Sequence, residues 1–107
     1  MPDTEQTENI QQIIRIEVLN GCGEKGIAAI FTDYLRAQSF DVVNTDNYRN
    51  FEVDSSFVID RLSLERIYGN RLAESLGITL NRVEPILSEE MALEATLVLG
   101  KDYQSLT

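Results

Sequence analysis

Histidine is absent from this 107-residue chain, and cysteine occurs once, at Cys22. Without histidine there is no Ser-His or Cys-His nucleophilic pair and no histidine-bearing metal site. A single cysteine allows no internal disulfide and leaves the redox compartment unread. Zinc would have to be held by one thiolate and carboxylates. Only an oxygen-ligand site for calcium or magnesium remains, and no D-x-D-x-D-G loop suggests one. The residues therefore name no catalytic group, no metal and no cofactor.

Basic residues are also scarce, nine Lys and Arg against eighteen Asp and Glu, for a net charge of −9. Nucleic-acid affinity is dominated by cations that neutralise phosphates, and the nine here are scattered, with no run and no aromatic interleaving. The composition predicts no nucleic-acid partner. No apolar run approaches the ~18 residues of a membrane span, and the N-terminus carries no signal-peptide apolar region. Taken as it stands, the chain is expected to be soluble.

What is present is ordinary for a globular domain: 43% hydrophobic and 25% charged residues. A chain of this length can bury roughly two thirds of the surface it exposes when unfolded. Residues 1–11 are polar and acidic without periodicity and read as a flexible lead-in, 12–104 as a single domain, and 105–107 as a tail.

Within the domain, residues 13–19 alternate Ile14, Ile16 and Val18 with Arg15 and Glu17, predicting a strand with one buried face and one at least partly wet. A turn at 20–23 leads into a helix opening at Glu24 or Lys25. Its stripe is Ile27, Ile30, Phe31, Tyr34 and Leu35, and it ends at Gln38 and Ser39. Residues 40–45 form a second strand, joined to the first by a parallel crossover. A polar loop at 46–54 precedes a third strand at 55–60, expected to pair with one of the first two.

A second helix spans about 64–76, with Leu64, Ile67, Tyr68, Leu72, Ala73 and Leu76 on its stripe and Gly77 as its stop. Residues 83–87 form a short strand suited to a sheet edge by Pro85. Glu89, Glu90 and Glu94 mark an exposed connection, and 95–99 is the last strand. The order β-α-β-β-α-β-β predicts an α/β fold of the two-layer α+β type, with two helices packed on one face of a four- or five-stranded mixed sheet and the other face partly open.

Gly21, Gly23 and Gly26 satisfy G-x-G-x-x-G after a strand and before a helix, with Lys25 beside them and Asp46 about 20 residues on, the setting of a dinucleotide site. Three features oppose that reading. The first strand alternates, where a dinucleotide strand is apolar on both faces. The chain has no room for the further parallel units, and Glu24 puts a carboxylate where pyrophosphate would approach. The alternative is mechanical: Gly21 and Gly23 supply the angles of a tight turn, and Gly26 lets helix and strand pack closely.

At these same residues the chain resembles a known family. The run V-L-N-G-C-G-x-x-G-I-A, from Val18 to Ala28, is similar to the opening signature of the LytR C-terminal domain. This is an accessory domain that follows the catalytic module in many LytR/CpsA/Psr cell-envelope proteins and also occurs without it in membrane-anchored ones. LRAQSFDV (35–42), SFVIDR (56–61), RLAESLGI (71–78) and ATLVLGKDY (95–103) follow in the family's order. Cys22 stands where threonine or serine is commoner, Ser39 where the family usually has glycine, and 79–94 matches poorly.

The resemblance implies a non-catalytic domain on the outer side of the cytoplasmic membrane, reaching the membrane only through a segment absent from this chain. Its implied partner is a cell-wall polymer or an envelope protein. The family's label of transcriptional attenuator would imply DNA binding, against the charge. Ligand identity and oligomeric state stay open.

Candidate ligand residues are Asn20, Gly21, Gly23 and Lys25 at the glycine turn, together with Asp60, Arg61, Asp102 and Tyr103. The last four meet if the third and fifth strands are neighbours; a solvated ion pair or loop anchor is the alternative. Tyr48, Phe51 and Phe57 are either an exposed patch for glycan stacking or core and loop packing. Cys22 is either a thiol activated by the helix start or a small packed one. Three functions remain: an envelope interaction domain, a nucleotide- or anion-binding module at the glycine turn, and a transcriptional regulator segment.

Overall fold

A computed structural model describes residues 13–107, so the expected lead-in at 1–11 lies outside the described residues. The elements are β1 (Arg15–Asn20), α1 (Ile27–Ala37), β2 (Asp41–Asn47), β3 (Phe57–Asp60), α2 (Ile67–Leu76), β4 (Val83–Pro85) and β5 (Ala95–Leu99). Single 3-10 turns occupy Leu80–Arg82, Glu90–Ala92 and Tyr103–Ser105. The five strands form one mixed sheet in the order β2-β1-β5-β3-β4. The expected α/β architecture and element order are therefore present.

β1 pairs in parallel with β2 and β5, β3 runs antiparallel to β5, and β4 is parallel to β3. The third strand thus pairs with neither of the first two, contrary to expectation. The last strand in the sequence sits between β1 and β3, and all five of its residues are buried. A strand covered on both faces has no reason to alternate, and A-T-L-V-L does not. Pro85 ends β4 at the sheet edge, where a missing N–H donor is harmless.

One apolar cluster joins Ile16, Val18, Val58, Leu97 and Leu99 of the sheet to Phe31 and Leu35 of α1 and to Leu72 and Leu76 of α2. Both helices therefore cover the same face. Tyr34 ties them together by donating from its hydroxyl to the Ser75 carbonyl at 2.9 Å. Three residues assigned to the helix stripes lie outside: Ile30 is 63% exposed, Leu64 68% and Ile67, in the first turn of α2, 53%. Ile30 lies on the flank of α1 away from buried Thr32, and Leu64 belongs to the connection before α2.

The start of α2 is set by a residue of β3. Asp60 is fully buried, and its carboxylate accepts five hydrogen bonds: from the N–H groups of Leu62, Ser63, Tyr68 and Gly69 and from the Ser63 hydroxyl. The Ser63 Oγ in turn accepts from Ile67 N–H at 2.9 Å. These bonds satisfy the orphan donors of the first helical turn and set a negative charge against the positive end of the helix dipole. Asp60 is therefore a buried anchor for the loop and helix that follow it, where the sequence left it between a solvated ion pair or loop anchor and a ligand site.

Both helices end the same way. Phe40 N–H donates to Leu35 O and Ser39 N–H to Arg36 O; Ile78 N–H donates to Ala73 O and Gly77 N–H to Glu74 O. This is the Schellman arrangement, whose penultimate position requires a left-handed residue. Gly77 has φ 76° there and Ser39 has φ 75°. Glycine takes that angle freely, whereas serine carries a Cβ that clashes in it. The residue that departs from the resembled family's glycine is thus the strained one.

The 105–107 segment, expected as a tail, lies against the domain: Leu106 packs on the core and Thr107 N–H donates to Leu76 O at 2.7 Å. Glu94, assigned to an exposed connection, is half-buried and its carboxylate accepts from Arg15 N–H.

Two stability changes follow. Ser39→Gly should raise unfolding stability by up to about 1 kcal/mol, the left-handed strain it relieves less the freedom glycine adds to the unfolded chain. Asp60→Ala, which strands several buried donors, should cost about 3 kcal/mol or more. Urea midpoints of the two variants against the parent check both.

Candidate functional site

The eight candidate residues fall at two ends of the sheet. Because β1 and β5 are parallel, the turn after Asn20 and the turn after Leu99 lie together: Gly21 N–H donates to Leu99 O at 2.9 Å. Residues 48–55 are laced between them, with Val53 N–H on Gly21 O and Lys101 N–H on Val53 O. Asn20, Gly21, Gly23 and Lys25 thus share one end with Asp102 and Tyr103. Asp60 pairs with Ala95 at the start of β5, so Asp60 and Arg61 lie at the opposite end. The third and fifth strands are neighbours, but their antiparallel direction keeps the two expected pairs apart.

At the glycine turn the donors are already used. Asn20 Oδ1 accepts from the N–H of Cys22 at 3.0 Å and of Gly23 at 2.9 Å, and Asn20 Nδ2 donates to Glu24 O. With Gly21 N–H on Leu99, three consecutive N–H groups of the turn point at the protein itself. A phosphate cradle needs such groups free. The Cys22 Sγ, half-buried, sits 3.4 Å from the same Asn20 oxygen. Phe51, exposed, closes over Gly23.

Gly23 has the left-handed angle expected of it, φ 82°, whereas Gly21 and Gly26 exchange their expected roles. Gly26 has φ 82° and precedes α1, which opens at Ile27 and not at Glu24 or Lys25, and nothing lies within 4 Å of where its Cβ would be. Gly21 is the close-packing one: a Cβ there would stand 2.8 Å from both the Leu99 carbonyl oxygen and Val53 Cγ2. At the neighbouring turn Asp102 Oδ1 accepts from Ser56 N–H at 2.9 Å and from Ser56 Oγ at 2.7 Å, and Ser56 Oγ accepts from Gly100 N–H. Asp102 is therefore a latch holding β5 to the start of β3, and Tyr103, half-buried, packs on the core.

The other face of the sheet, which carries no helix, presents a groove of about 730 Å³. Its size lies within the range of small-ligand sites. The alternation of β3 sends Val58 and Asp60 toward the helices and Phe57, Ile59 and Arg61 to this face, where they form the floor. Glu84 and Ile86 with Asn81 and Arg82 form one wall, and Tyr48 and Arg49 the other. The Tyr48 and Phe57 rings meet edge to face at 6.1 Å, and the Arg49 guanidinium lies over the Tyr48 ring at 5.3 Å from its centre.

A chain of polar contacts crosses the sheet beside the groove. Asn44 Nδ2 donates to Glu17 Oε1 at 3.0 Å, Thr96 Oγ1 donates to Glu17 Oε2 at 2.9 Å, and Arg61 Nε donates to Thr96 Oγ1 at 3.2 Å. A second Arg61 nitrogen donates to Ile86 O. Glu17 is only 8% exposed, so the face expected to be partly wet at that position is dry. Its carboxylate stays satisfied because Asn44 and Thr96 supply the donors that water would have given.

Three arginines meet at this groove. Among the described residues the ion pairs are Arg15 with Asp41 and Lys101 with Asp54, so the guanidiniums of Arg49, Arg61 and Arg82 have no carboxylate partner there. Of the three, only Arg61 is a candidate ligand residue from the sequence, Arg49 being one residue of a polar loop. Arg49 and Arg82 are 33 positions apart, and no local pattern joins them. Among the described residues no cluster of three or more Asp, Glu, Cys or His could hold a metal ion, and no helix is long and apolar enough to cross a membrane.

The glycine geometry gives a direct check. Gly21→Ala should destabilise by about 2 kcal/mol, the cost of overpacking against a backbone carbonyl. Gly26→Ala should cost about 1 kcal/mol from its backbone angle alone. Gly26→Asn should be milder, since asparagine tolerates that angle. Thermal or urea unfolding of the three variants separates crowding from conformation.

The family comparison spans all five strands and both helices. A family model described as LytR cell envelope-related transcriptional attenuator matches residues 13–103, most of the chain. No curated protein and no solved structure matches the chain closely enough to add a relative. From the first residue of β1 to the turn beyond β5, this chain belongs to the LytR C-terminal family of accessory, cell-envelope-associated domains.

Proposed function

We propose that this chain is a non-catalytic interaction domain of a cell-envelope protein, displayed outside the cytoplasm and held at the membrane through a segment not contained in it. Its helix-free face contacts cell-wall polymer or an envelope protein. The observation that carries this reading is the groove at Tyr48, Phe57, Ile59 and Ile86 on a domain of an envelope family. It is concave, part aromatic and part polar, and built on strands, as binding sites are.

The two serine hydroxyls bonded to carboxylates support the absence of chemistry. Ser56 is 1% exposed and locked between Asp102 and Gly100, and Ser63 is occupied by Asp60 and Ile67. Neither hydroxyl is placed to attack a substrate. A nucleotide module at the glycine turn is disfavoured by the N–H groups that Asn20 and Leu99 occupy. The family's description as a transcriptional attenuator suggests a regulator, but a net charge of −9 opposes contact with DNA.

Cosedimentation of the purified domain with washed cell-wall material, and crosslinking to envelope proteins, test the proposal. The parent should be retained. Ile86→Glu, a change at a half-exposed wall residue that leaves its backbone carbonyl on Arg61, should lower retention about tenfold by burying a carboxylate in the contact. Failure of the parent to associate with any wall or envelope component would remove the reading.

A further inference from the structure

Three of the nine basic residues of the chain line one groove, against eighteen acidic residues overall. Outside the groove, and leaving aside buried Glu17 and Asp60, twelve carboxylates stand against six cations among the described residues, so the exterior around the groove is acidic. Glu84 is the one carboxylate among the lining residues, and no ion pair joins it to an arginine. A cluster of like charges without carboxylate partners costs free energy, and its natural counterpart is an anion.

The three cations are held differently. Arg61 is fixed by Thr96 and the Ile86 carbonyl, with Thr96 itself bonded to buried Glu17, so its guanidinium is oriented before any ligand arrives. Such fixation lowers the ordering cost of binding. Arg49 is placed by the Tyr48 ring beneath it, and Arg82, exposed, stands on the 3-10 turn before β4. Guanidinium groups pair with carboxylate and phosphate oxygens through two parallel N–H donors. The aromatic pair beside them, its rings set at 82° to one another with Arg49 over one face of Tyr48, gives the groove an apolar edge against which the C–H groups of a sugar can pack.

The density of charge in the ligand follows from the same balance. A dense polyanion such as nucleic acid carries a charge about every 1.7 Å of duplex, and most of its length would lie against the acidic remainder of this surface. A chain bearing isolated acid groups among neutral sugars satisfies the arginines and meets little repulsion elsewhere.

Resting on the proposed role of this face in envelope contact, we infer that the groove binds a sparsely acidic glycan. Arg61 acts as its fixed anchor, Arg49 and Arg82 as its flanking cations, and Tyr48 with Phe57 as its apolar, sugar-contacting edge. The recognised groups are carboxylates or phosphodiesters on the glycan.

Titration calorimetry of the full chain tests this with a hyaluronan hexasaccharide, a hexasaccharide built of neutral disaccharides joined by phosphodiesters, neutral chitohexaose and a single-stranded DNA oligonucleotide. One or both of the sparsely acidic probes should bind, and which one does assigns carboxylate or phosphodiester as the source of the anion. Chitohexaose should bind at least about tenfold more weakly, and the salt dependence should report about three neutralised charges. The double variant Arg49→Gln/Arg82→Gln, at exposed positions, should lose about tenfold, while Glu84→Gln should gain two- to fivefold by removing the opposing carboxylate.

Equal binding of chitohexaose with no response to the arginine changes would overturn the inference and leave the envelope role standing. So would DNA binding tighter than either acidic probe. If no saccharide binds while the chain still sediments with wall material, the acidic-glycan assignment fails alone; if wall retention fails too, both fall.

Discussion

The position of β5 is the constraint on which the rest of the molecule depends. Ala95–Leu99 enters the sheet last in sequence and lies between β1 and β3, parallel to one and antiparallel to the other. Without it the β1-α1-β2 unit and the β3-α2-β4 unit have no shared hydrogen bonds in the sheet. With it, Leu97 and Leu99 join the two helices into one core. Burial of its residues is worth roughly 1.5–3 kcal/mol for each large aliphatic side chain, so one strand supplies much of the margin that keeps such a domain folded.

Apart from Thr32, whose buried hydroxyl has no partner among the described residues, polar side chains buried or half-buried in this domain act as connectors. Asp60 joins β3 to the start of α2, Asp102 joins the end of β5 to the start of β3, and Asn20 holds its own turn closed. Glu17 spans β2 and β5 through Asn44 and Thr96. Each is paired because an unsatisfied buried carboxylate or amide costs more than a satisfied one gains. The surface ion pairs among the described residues, at 3.6 Å and 3.9 Å and well exposed, contribute little beside them. The acidic composition thus serves two ends: a few carboxylates organise the fold, and the remainder give the exterior its charge.

Against that acidic exterior the groove is the exception, and its chemistry has a tertiary origin. Arg61 reaches the groove because β3 alternates, Arg82 because a 3-10 turn leads into β4, and Arg49 because the connection after β2 runs back along the sheet. The family signature at the glycine turn is a matter of packing: Gly21 admits the Leu99 carbonyl, and Asn20 consumes the donors that a nucleotide would need. The conspicuous motif of the sequence and the open groove of the fold are therefore different places.

By itself the sequence determined the elements, their order and the two-layer class, because strand alternation and helical stripes are local periodicities that burial enforces residue by residue. It also located the glycine turn and the stop at Gly77. Strand neighbours are not local. That 95–99 inserts beside β3 in the opposite direction decided that Asp60 and Arg61 stand far from Asp102 and Tyr103, and that Glu17 is dry. The assignment of Gly26 to a left-handed cap and Gly21 to close packing needed coordinates, because spacing alone does not distinguish an unusual angle from a near neighbour. The groove needed them most, since three arginines separated along the chain become one site only when the sheet order brings their strands and connections to a single face.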